Sequence, residues 1–383
     1  MINSEKELWV FLSHSNKDFE KVRRIRNYLE EHSCRPLMFY LMCLSKDEEI
    51  DHLIKREIDC RTRFIVCSSE NAKASKWVQS EVKYIRSRQK SYEVVDLDES
   101  DETIKNQLDA FLKSIQIFLL CCPQDADFSQ EVFSHIKKYD MRIVGNWGGE
   151  EMIPPQESNG NHRRNPQGFY ESVKRVFGEF GFCVFFASKE AMCSDSAKAE
   201  LDMWVSGGGA VFSVLLDEYA SAHVQDYFSQ WEIRYDASPH IGGSPDTRRL
   251  TGVDVSQSKN KLEDAIEGIV NRAFPCWDTY TMAENFMRGI DGMTDQEEAE
   301  RLFRIAYRRA YELDLADYPG GTLYLAKCEA HGYGTKKDLQ SAINDYYNYL
   351  HIICNASPEL EAEICAVEDE LNKGFPEKRY WHR

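Results

Sequence analysis

The sequence lacks both a long hydrophobic run and an excess of basic residues. Apolar stretches such as IFLLCC (117–122) fall far short of the roughly 18–20 residues that cross a bilayer, so no membrane-spanning segment is predicted. Lys and Arg number 47 against 64 Asp and Glu, which gives a formal net charge of -17. Nucleic acids and anionic membrane surfaces select clustered basic residues, so we expect neither as a partner.

The twelve cysteines form no C-x-x-C pair and no His/Cys cluster at metal-ligand spacing. This distribution predicts buried free thiols in a reducing compartment, and no metal site. The beginning of the sequence, MINSEKELWVFLSHS (1–15), has no signal-peptide pattern. We therefore expect a cytoplasmic protein that carries no resident cofactor.

The first third of the chain alternates short apolar runs with helical patterns. Four runs have the length and composition of buried strands: LWVFL (8–12), RPLMFYLMCL (35–44), RFIVCSS (63–69) and YEVVDLDE (92–99). Strands that alternate with helices predict a parallel sheet covered by helices on both faces. With 383 residues, the chain exceeds the size at which a single core stops growing, so several domains are expected.

The second third repeats the order of the first. FLSHSNKD begins at Phe11 and FLLCCPQD at Phe118, an offset of 107 residues, and later matches such as Glu81 with Glu200 lie 119 apart. The polar stretch ESNGNHRRNPQG (157–168) can absorb the difference, because loop entropy grows slowly with length. The sequence therefore predicts an internal duplication, in which WEIRYD (231–236) adds a fifth strand to the second copy.

The last hundred residues show no strand pattern. Ala, Leu and Tyr recur there at spacings of three and four, and glycines such as Gly332 and Gly334 separate the helical segments. We expect a turn at these two glycines, since glycine readily adopts a positive φ. The predicted division is 1–113 and 114–275 for the two α/β copies and 276–383 for the helical tail.

Polar residues of the first copy gather where ligands bind in doubly wound sheets, outside the carboxyl ends of the strands. Ser13, His14 and Ser15 follow the first strand directly. Trp77 and Glu81 are four residues apart and share one face of a helix that follows the third strand. We expect both to look into an open crevice, where a carboxylate can bind ribose hydroxyls and an aromatic ring can pack on a second ring.

Two of these segments resemble the TIR (Toll/interleukin-1 receptor) family. VFLSHSNKD (10–18) is similar to the first conserved box of TIR domains, and SKWVQSEV (75–82) is similar to their W-x-x-x-E helix. The resemblance implies that Glu81 is catalytic and that Trp77 and the rim residues 13–15 bind substrate. It is weaker over 115–273, where Glu200 is the equivalent glutamate but no tryptophan precedes it by four residues.

The resemblance implies two flavodoxin-like parallel-sheet domains of TIR type, followed by an all-α tail. It implies an NAD+ glycohydrolase or ADP-ribosyl cyclase with NAD+ as substrate, acting in bacterial anti-phage immunity. The alternative is a non-enzymatic TIR scaffold, and in either case self-association through TIR domains is expected. The tail segment GGTLYLAKCEAHGYGTKKDLQSAINDYY (320–347) resembles Sel-type repeats, which implies either a site for a protein partner or a structural cap.

Overall fold

The computed structural model describes residues 8–38, 47–145, 181–206, 209–231, 234–236, 249–290, 292, 294–354 and 356–374. Within these ranges the chain forms two parallel sheets and a set of helices, in two compact units. The first unit holds both sheets and consists of 1–45, 63–82 and 92–273. The second unit consists of 274–383 together with two short pieces from earlier in the chain, 46–62 and 83–91.

The first sheet has four parallel strands in the order β2-β1-β3-β4. Its strands begin and end close to the predicted runs, although β2 stops early, and the remainder of its predicted run from 39 onward lies outside the described residues. The elements of this part of the chain are β1 Leu8–Ser13, α1 Phe19–Glu31, β2 Cys34–Leu37, α2 Asp47–Cys60, β3 Phe64–Ser68, α3 Glu70–Ala74, α4 Lys76–Ser87, β4 Glu93–Asp96 and α5 Asp101–Ser114.

The core of the first sheet follows the sequence pattern. Alternate residues of β1 are buried together with the apolar face of α1 and with residues of α5. The spacing of Val22, Ile25 and Leu29 on α1 is the three-to-four repeat that places side chains on one helix face. The helix ends at His32, whose backbone N–H bonds the carbonyls of the last turn.

The second sheet has six parallel strands in the order β6-β5-β7-β8-β10-β9. The predicted fifth strand is present as β9, and the sheet has one strand more than the sequence predicts, because β10 inserts between β8 and β9. The elements are β5 Gln116–Leu120, α6 Ala126–Ile136, β6 Arg142–Gly145, β7 Phe182–Ala187, α7 Lys189–Met192, α8 Asp195–Ser206, β8 Ala210–Leu215, α9 Glu218–Ser229, β9 Arg234–Asp236, β10 Arg249–Asp254 and α10 Lys261–Ala273.

The two sheets share the order of their first four strands. In each, the first strand lies between the second and third, and the fourth pairs with the third. Glu81 on α4 and Glu200 on α8 occupy equivalent positions, each in the second helix after the third strand. The loop proposed to hold the insertion, 157–168, lies outside the described residues.

The described residues after 275 form helices joined by turns and contain no strand, as predicted. Gly332 and Gly334 both have positive φ, +74° and +69°, in the turn between the third and fourth helices of this region, so the predicted turn is confirmed. A Cβ at Gly334 would lie 2.3 Å from the backbone oxygen of Phe303. The helices are α11 Cys276–Arg288, α12 Gln296–Leu315, α13 Pro319–His331, α14 Leu339–Ile353 and α15 Pro358–Gly374.

Candidate functional site

The carboxyl ends of β1 and β3 and the start of α4 define the rim of the first sheet. The last residue of β1, Ser13, is buried beside β3, with which it pairs in parallel register. Helix α4 begins after Ser75, whose hydroxyl accepts the N–H of Val78 at 3.4 Å. This start places Trp77 in the first turn of α4 and Glu81 one turn later.

Glu81 and Ser13 meet at this rim, although they are 68 residues apart in sequence. The hydroxyl of Ser13 donates a hydrogen bond to Oε2 of Glu81. Glu81 is only 8% exposed, so the sequence-based expectation of a carboxylate in an open crevice is wrong. The carboxyl group is packed into the protein and held from the end of β1.

Burial changes the acid strength of Glu81. Loss of solvation raises its pKa from the ordinary 4.5 to about 7, and the hydrogen bond from Ser13 offsets part of that rise. The group therefore changes charge near neutral pH. A carboxyl tuned in this way is typical of functional sites, although structural burial can also produce it.

His14 presents an imidazole nitrogen that has no protein partner among the described residues. Its Nδ1 donates to the backbone oxygen of Leu12 at 3.0 Å, which fixes the proton on that nitrogen. Burial lowers the pKa of His14, so the ring is held neutral. Nε2, which is buried without a hydrogen-bond partner, then carries a lone pair that can accept a hydrogen bond.

Trp77 is 39% exposed, which separates it from the core tryptophans of the chain. It lies one helical turn before Glu81 on α4 and leaves part of its ring accessible to a ligand. Ser15, the third predicted rim residue, is buried and caps the short 3-10 turn before α1 by accepting the N–H of Lys17. Its observed role is therefore structural.

Sequence reasoning missed the role of Asp18, which holds the rim together. Its carboxylate accepts a hydrogen bond from the hydroxyl of Ser69 at 2.5 Å and another from the amide of Asn71 at 2.7 Å. Ser69 also caps α3 by accepting the N–H of Ala72. The repeated Asp at the end of the first box, together with the repeated Ser, was the signal that could have identified this pair.

The second sheet contains a hydrogen bond equivalent to that between Ser69 and Asp18. The hydroxyl of Ser188 donates to Asp125 at 2.6 Å and accepts the N–H of Ala191, as Ser69 does with Asp18 and Ala72. These residues are related by the same offsets, 107 and 119, that relate the two halves of the sequence. The equivalence of the halves therefore extends to individual hydrogen bonds.

The second sheet does not repeat the candidate site. Glu200 is buried like Glu81, but Leu120 stands where Ser13 ends β1, and Ser196 stands at the position of Trp77. Cys121 takes the position of His14, and burial raises the pKa of this thiol to about 12. The structure therefore brings Ser13 and Glu81 into contact, with His14 next to Ser13 in sequence and Trp77 one helical turn before Glu81, and the second sheet has an apolar residue and a neutral thiol at the positions of Ser13 and His14.

Comparison with known protein families identifies the segment that contains the candidate site. Residues 10–132 match the family model described as TIR domain. This segment is a TIR domain. The match runs from β1 into α6, so the TIR segment includes the first strand and part of the first helix of the second sheet. No match was found among curated proteins or among solved structures.

The described part of the chain contains neither a metal-binding cluster nor a membrane-spanning helix. No group of three or more His, Cys, Asp or Glu residues there is arranged to hold a metal ion. No described helix is both long and apolar enough to pass through a membrane.

Proposed function

We propose that the TIR domain is an NAD+ glycohydrolase, in which Glu81 promotes cleavage of the bond between nicotinamide and ribose. The observation that carries this proposal is the buried Glu81 carboxyl, held by Ser13 at the carboxyl ends of the strands, one helical turn after a partly exposed Trp77. Glu200 of the second sheet is equally buried, so the support comes from the combination of the carboxyl group with Ser13 and Trp77 rather than from burial alone.

The reaction suits a site with one carboxylate. The bond from the anomeric carbon of ribose to the ring nitrogen of nicotinamide breaks with both electrons leaving on nicotinamide, which departs neutral. No acid is then needed to protonate the leaving group, in contrast to glycosidases that require a pair of carboxyl groups. The ionised Glu81 stabilises the positive charge that develops on the ribose, and a buried site strengthens this interaction.

A nucleophile completes the reaction at the anomeric carbon. When it is water, its oxygen bonds to that carbon and releases a proton, and the product is ADP-ribose. When it is a group on the adenine or on the distal ribose, the product is a cyclic isomer. Both products remain open, and both consume NAD+, as in the anti-phage role that the resemblance to bacterial TIR proteins implies.

The neighbouring residues supply binding contacts. Trp77 offers a partly exposed ring on which the nicotinamide or adenine ring can pack, and Nε2 of His14 accepts a hydrogen bond from a hydroxyl or carboxamide group. Ser13 orients Glu81 while lowering its pKa. Because NAD+ carries a positive charge on its pyridinium ring, its binding favours the ionised form of Glu81.

The second sheet is proposed to be a degenerate TIR-like copy without catalytic activity. Its strand order and the Ser188–Asp125 bond support common descent, whereas Leu120 and Ser196 leave Glu200 without the neighbours of Glu81. The helical region after 275 is proposed to be a Sel-type repeat, supported by its helical hairpin at Gly332 and Gly334. A partner-binding role for this region and self-association of the TIR domain belong to the same proposal.

The test is incubation of the purified full-length protein with NAD+ across a range of protein concentrations, followed by chromatography of nicotinamide and the second product. The proposal expects release of nicotinamide with an equal amount of ADP-ribose or a cyclic isomer, rising steeply with concentration if assembly activates the site. Assembly into oligomers with no nicotinamide release at any concentration would instead support the scaffold function.

A further inference from the structure

Helix α4, which carries Glu81, also carries residues of the second compact unit. Residues 63–82 belong to the first unit and residues 83–91 to the second, so the division falls between Val82 and Lys83, directly after Glu81. Glu81, Tyr84 and Arg88 are spaced three and four apart and follow one face of the helix and its extension. The residues that follow Glu81 are held by the helical unit in three separate places.

The first attachment joins α4 to α2. The hydroxyl of Tyr84 donates to Asp59 at 2.9 Å, and Nε of Arg88 lies 3.0 Å from the other carboxylate oxygen of the same residue. Nε of Arg88 also donates to the hydroxyl oxygen of Tyr84 at 3.1 Å. These bonds form a closed triangle of side chains at the end of α4.

The second attachment joins Arg88 to the tail helices. Its Nη1 lies 3.7 Å from a carboxylate oxygen of Glu363 on α15. Glu363 is itself fixed by Lys327 of α13 at 2.8 Å and by the hydroxyl of Tyr346 of α14 at 2.6 Å. The hydroxyl of Tyr324 donates to the backbone oxygen of Arg88 at 3.0 Å. Arg88 therefore contacts a network that links three helices of the tail.

The third attachment is Lys90, whose side chain is 5% exposed. Its ammonium group donates to the backbone oxygens of Asp59 at 3.2 Å and Arg61 at 2.6 Å and to the hydroxyl of Thr281 on α11 at 3.0 Å. The two carbonyls belong to the last turn of α2 and the residue just after it, where the helix dipole favours a positive charge. The amide of Asn285, also on α11, donates to the carbonyl between them, that of Cys60, at 2.7 Å.

We propose that Arg88 and Lys90 are positioning residues for Glu81, through which the helical tail fixes the seating of helix α4. This proposal rests on the glycohydrolase function for its effect on rate, but not for its effect on the helix. Arg88 directly follows the last residue of α4 and lies seven residues after Glu81, which corresponds to about 10 Å of helix rise. A partner that binds the tail then has a direct mechanical route to the catalytic carboxyl.

The residues just after α4 are bonded to the helices of the tail through several side chains. Lys90 is a buried cation that bonds backbone oxygens at the end of α2 and just after it, together with a hydroxyl oxygen of α11, so the loss of either contact weakens the support of a buried charge. Gln89 adds a bond from its amide to the hydroxyl of Tyr349 at 2.9 Å. Three successive residues, 88 to 90, are thus attached to different tail helices.

The experiment compares Glu363→Gln with Glu370→Gln in the full-length protein. Both residues lie on α15, but Glu370 is exposed and pairs at 2.6 Å with Lys337, another residue of the tail. Tyr349→Phe serves as a milder second variant, because it removes only the hydroxyl that accepts the bond from Gln89. For each protein, amide hydrogen exchange is measured over 76–91, and kcat and KM are measured for nicotinamide release.

We expect Glu363→Gln to speed exchange in 76–91 and to lower kcat by about 10- to 100-fold with KM changed less than about threefold, because misplacement of a catalytic group acts on the transition state. Tyr349→Phe should show the same pattern more weakly, and Glu370→Gln should match the wild type. Unchanged exchange in 76–91 in both test variants would overturn the proposal, and so would faster exchange with an unchanged kcat. If the wild type releases no nicotinamide, the glycohydrolase function fails, and the exchange data alone decide whether the tail fixes α4.

Discussion

Replacement of Glu81 by glutamine should make the protein more stable at alkaline pH. The carboxyl group is 8% exposed, and the group that bonds it in the described part of the chain is a neutral hydroxyl, that of Ser13, rather than a cation. Glutamine keeps the shape and an oxygen that accepts the bond from Ser13, but it never ionises. The variant therefore removes the solvation penalty that the ionised carboxylate imposes on the fold.

The magnitude follows from the pKa of Glu81. The ordinary value is 4.5 and the value in the folded protein is about 7. At 1.36 kcal/mol per pKa unit, this difference corresponds to about 3 kcal/mol. Because the folded pKa is the higher one, the favourable contribution of the protonated group is complete below about pH 4.5 and is lost as the pH rises through about 7.

Urea unfolding of the wild type and of Glu81→Gln at pH values from 4.5 to 8 measures this difference directly. Other groups titrate in both proteins and cancel from the comparison. Near pH 4.5 the two should differ little in free energy of unfolding, whereas at pH 8 the variant should be more stable by up to about 3 kcal/mol. Glu99→Gln, at an exposed position, is the control and should show no such trend. A difference that stays constant from pH 4.5 to 8 would refute the assignment of a raised pKa to Glu81.

Three further predictions concern the rim and the tail. Ser13→Ala removes the bond that lowers the pKa of Glu81, so the midpoint at which kcat/KM for nicotinamide release rises with pH should move above about 7; an unchanged midpoint in the pH profile would contradict this. Trp77→Ala should raise KM with little change in the urea midpoint, because the side chain is 39% exposed, and a large loss of stability would show that the ring is structural. Gly334→Ala should cost more than Gly332→Ala in unfolding free energy, by at least about 1 kcal/mol, since both have positive φ but only the first Cβ would meet a backbone oxygen at 2.3 Å; equal melting temperatures would argue against it.

Much of the fold was predictable because the spacing of apolar residues along the sequence indicates which side chains are buried. The apolar runs of β1 and β3 are short and continuous, as buried parallel strands require, and the face of α1 repeats every three to four residues. The matches at offsets of 107 and 119 predicted two related sheets, and the Asp18–Ser69 and Asp125–Ser188 bonds show the physical basis of those matches. In each pair the serine also caps the helix that follows it, by accepting the backbone N–H of the residue three positions later.

Other features of the fold leave no pattern in the sequence. β10 contains Gly252 between polar and apolar residues and has no clean alternation, so only its pairing with β8 and β9 identifies it as a strand. The grouping of 46–62 and 83–91 with the tail is likewise set by tertiary contacts, such as the bond from Lys90 to Thr281, which lies 191 positions later. Local propensity carries no information on contacts of that range.

The sequence predicted the positions of the candidate site residues along the fold, but it did not predict the burial and hydrogen bonding of Glu81. Position after a strand placed Ser13 and His14 at the rim, and a spacing of four placed Trp77 near Glu81. The burial of Glu81, its bond to Ser13 and the structural use of Ser15 depend on side-chain packing across 68 residues of sequence and were not foreseen. The pKa of about 7 is a consequence of that packing alone.

The most direct test of the central claim is the rate of nicotinamide release by Glu81→Gln and Glu200→Gln, measured beside the wild type at equal concentration and at pH 8. The two glutamates hold equivalent positions and are equally buried, so each variant controls for the general effect of the other. We expect Glu81→Gln to lose about 10²- to 10³-fold in rate, the cost of one preorganised electrostatic group, and Glu200→Gln to stay within a few-fold of the wild type. A folded Glu81→Gln protein with near-normal nicotinamide release, or an inactive Glu200→Gln protein beside it, would contradict the assignment.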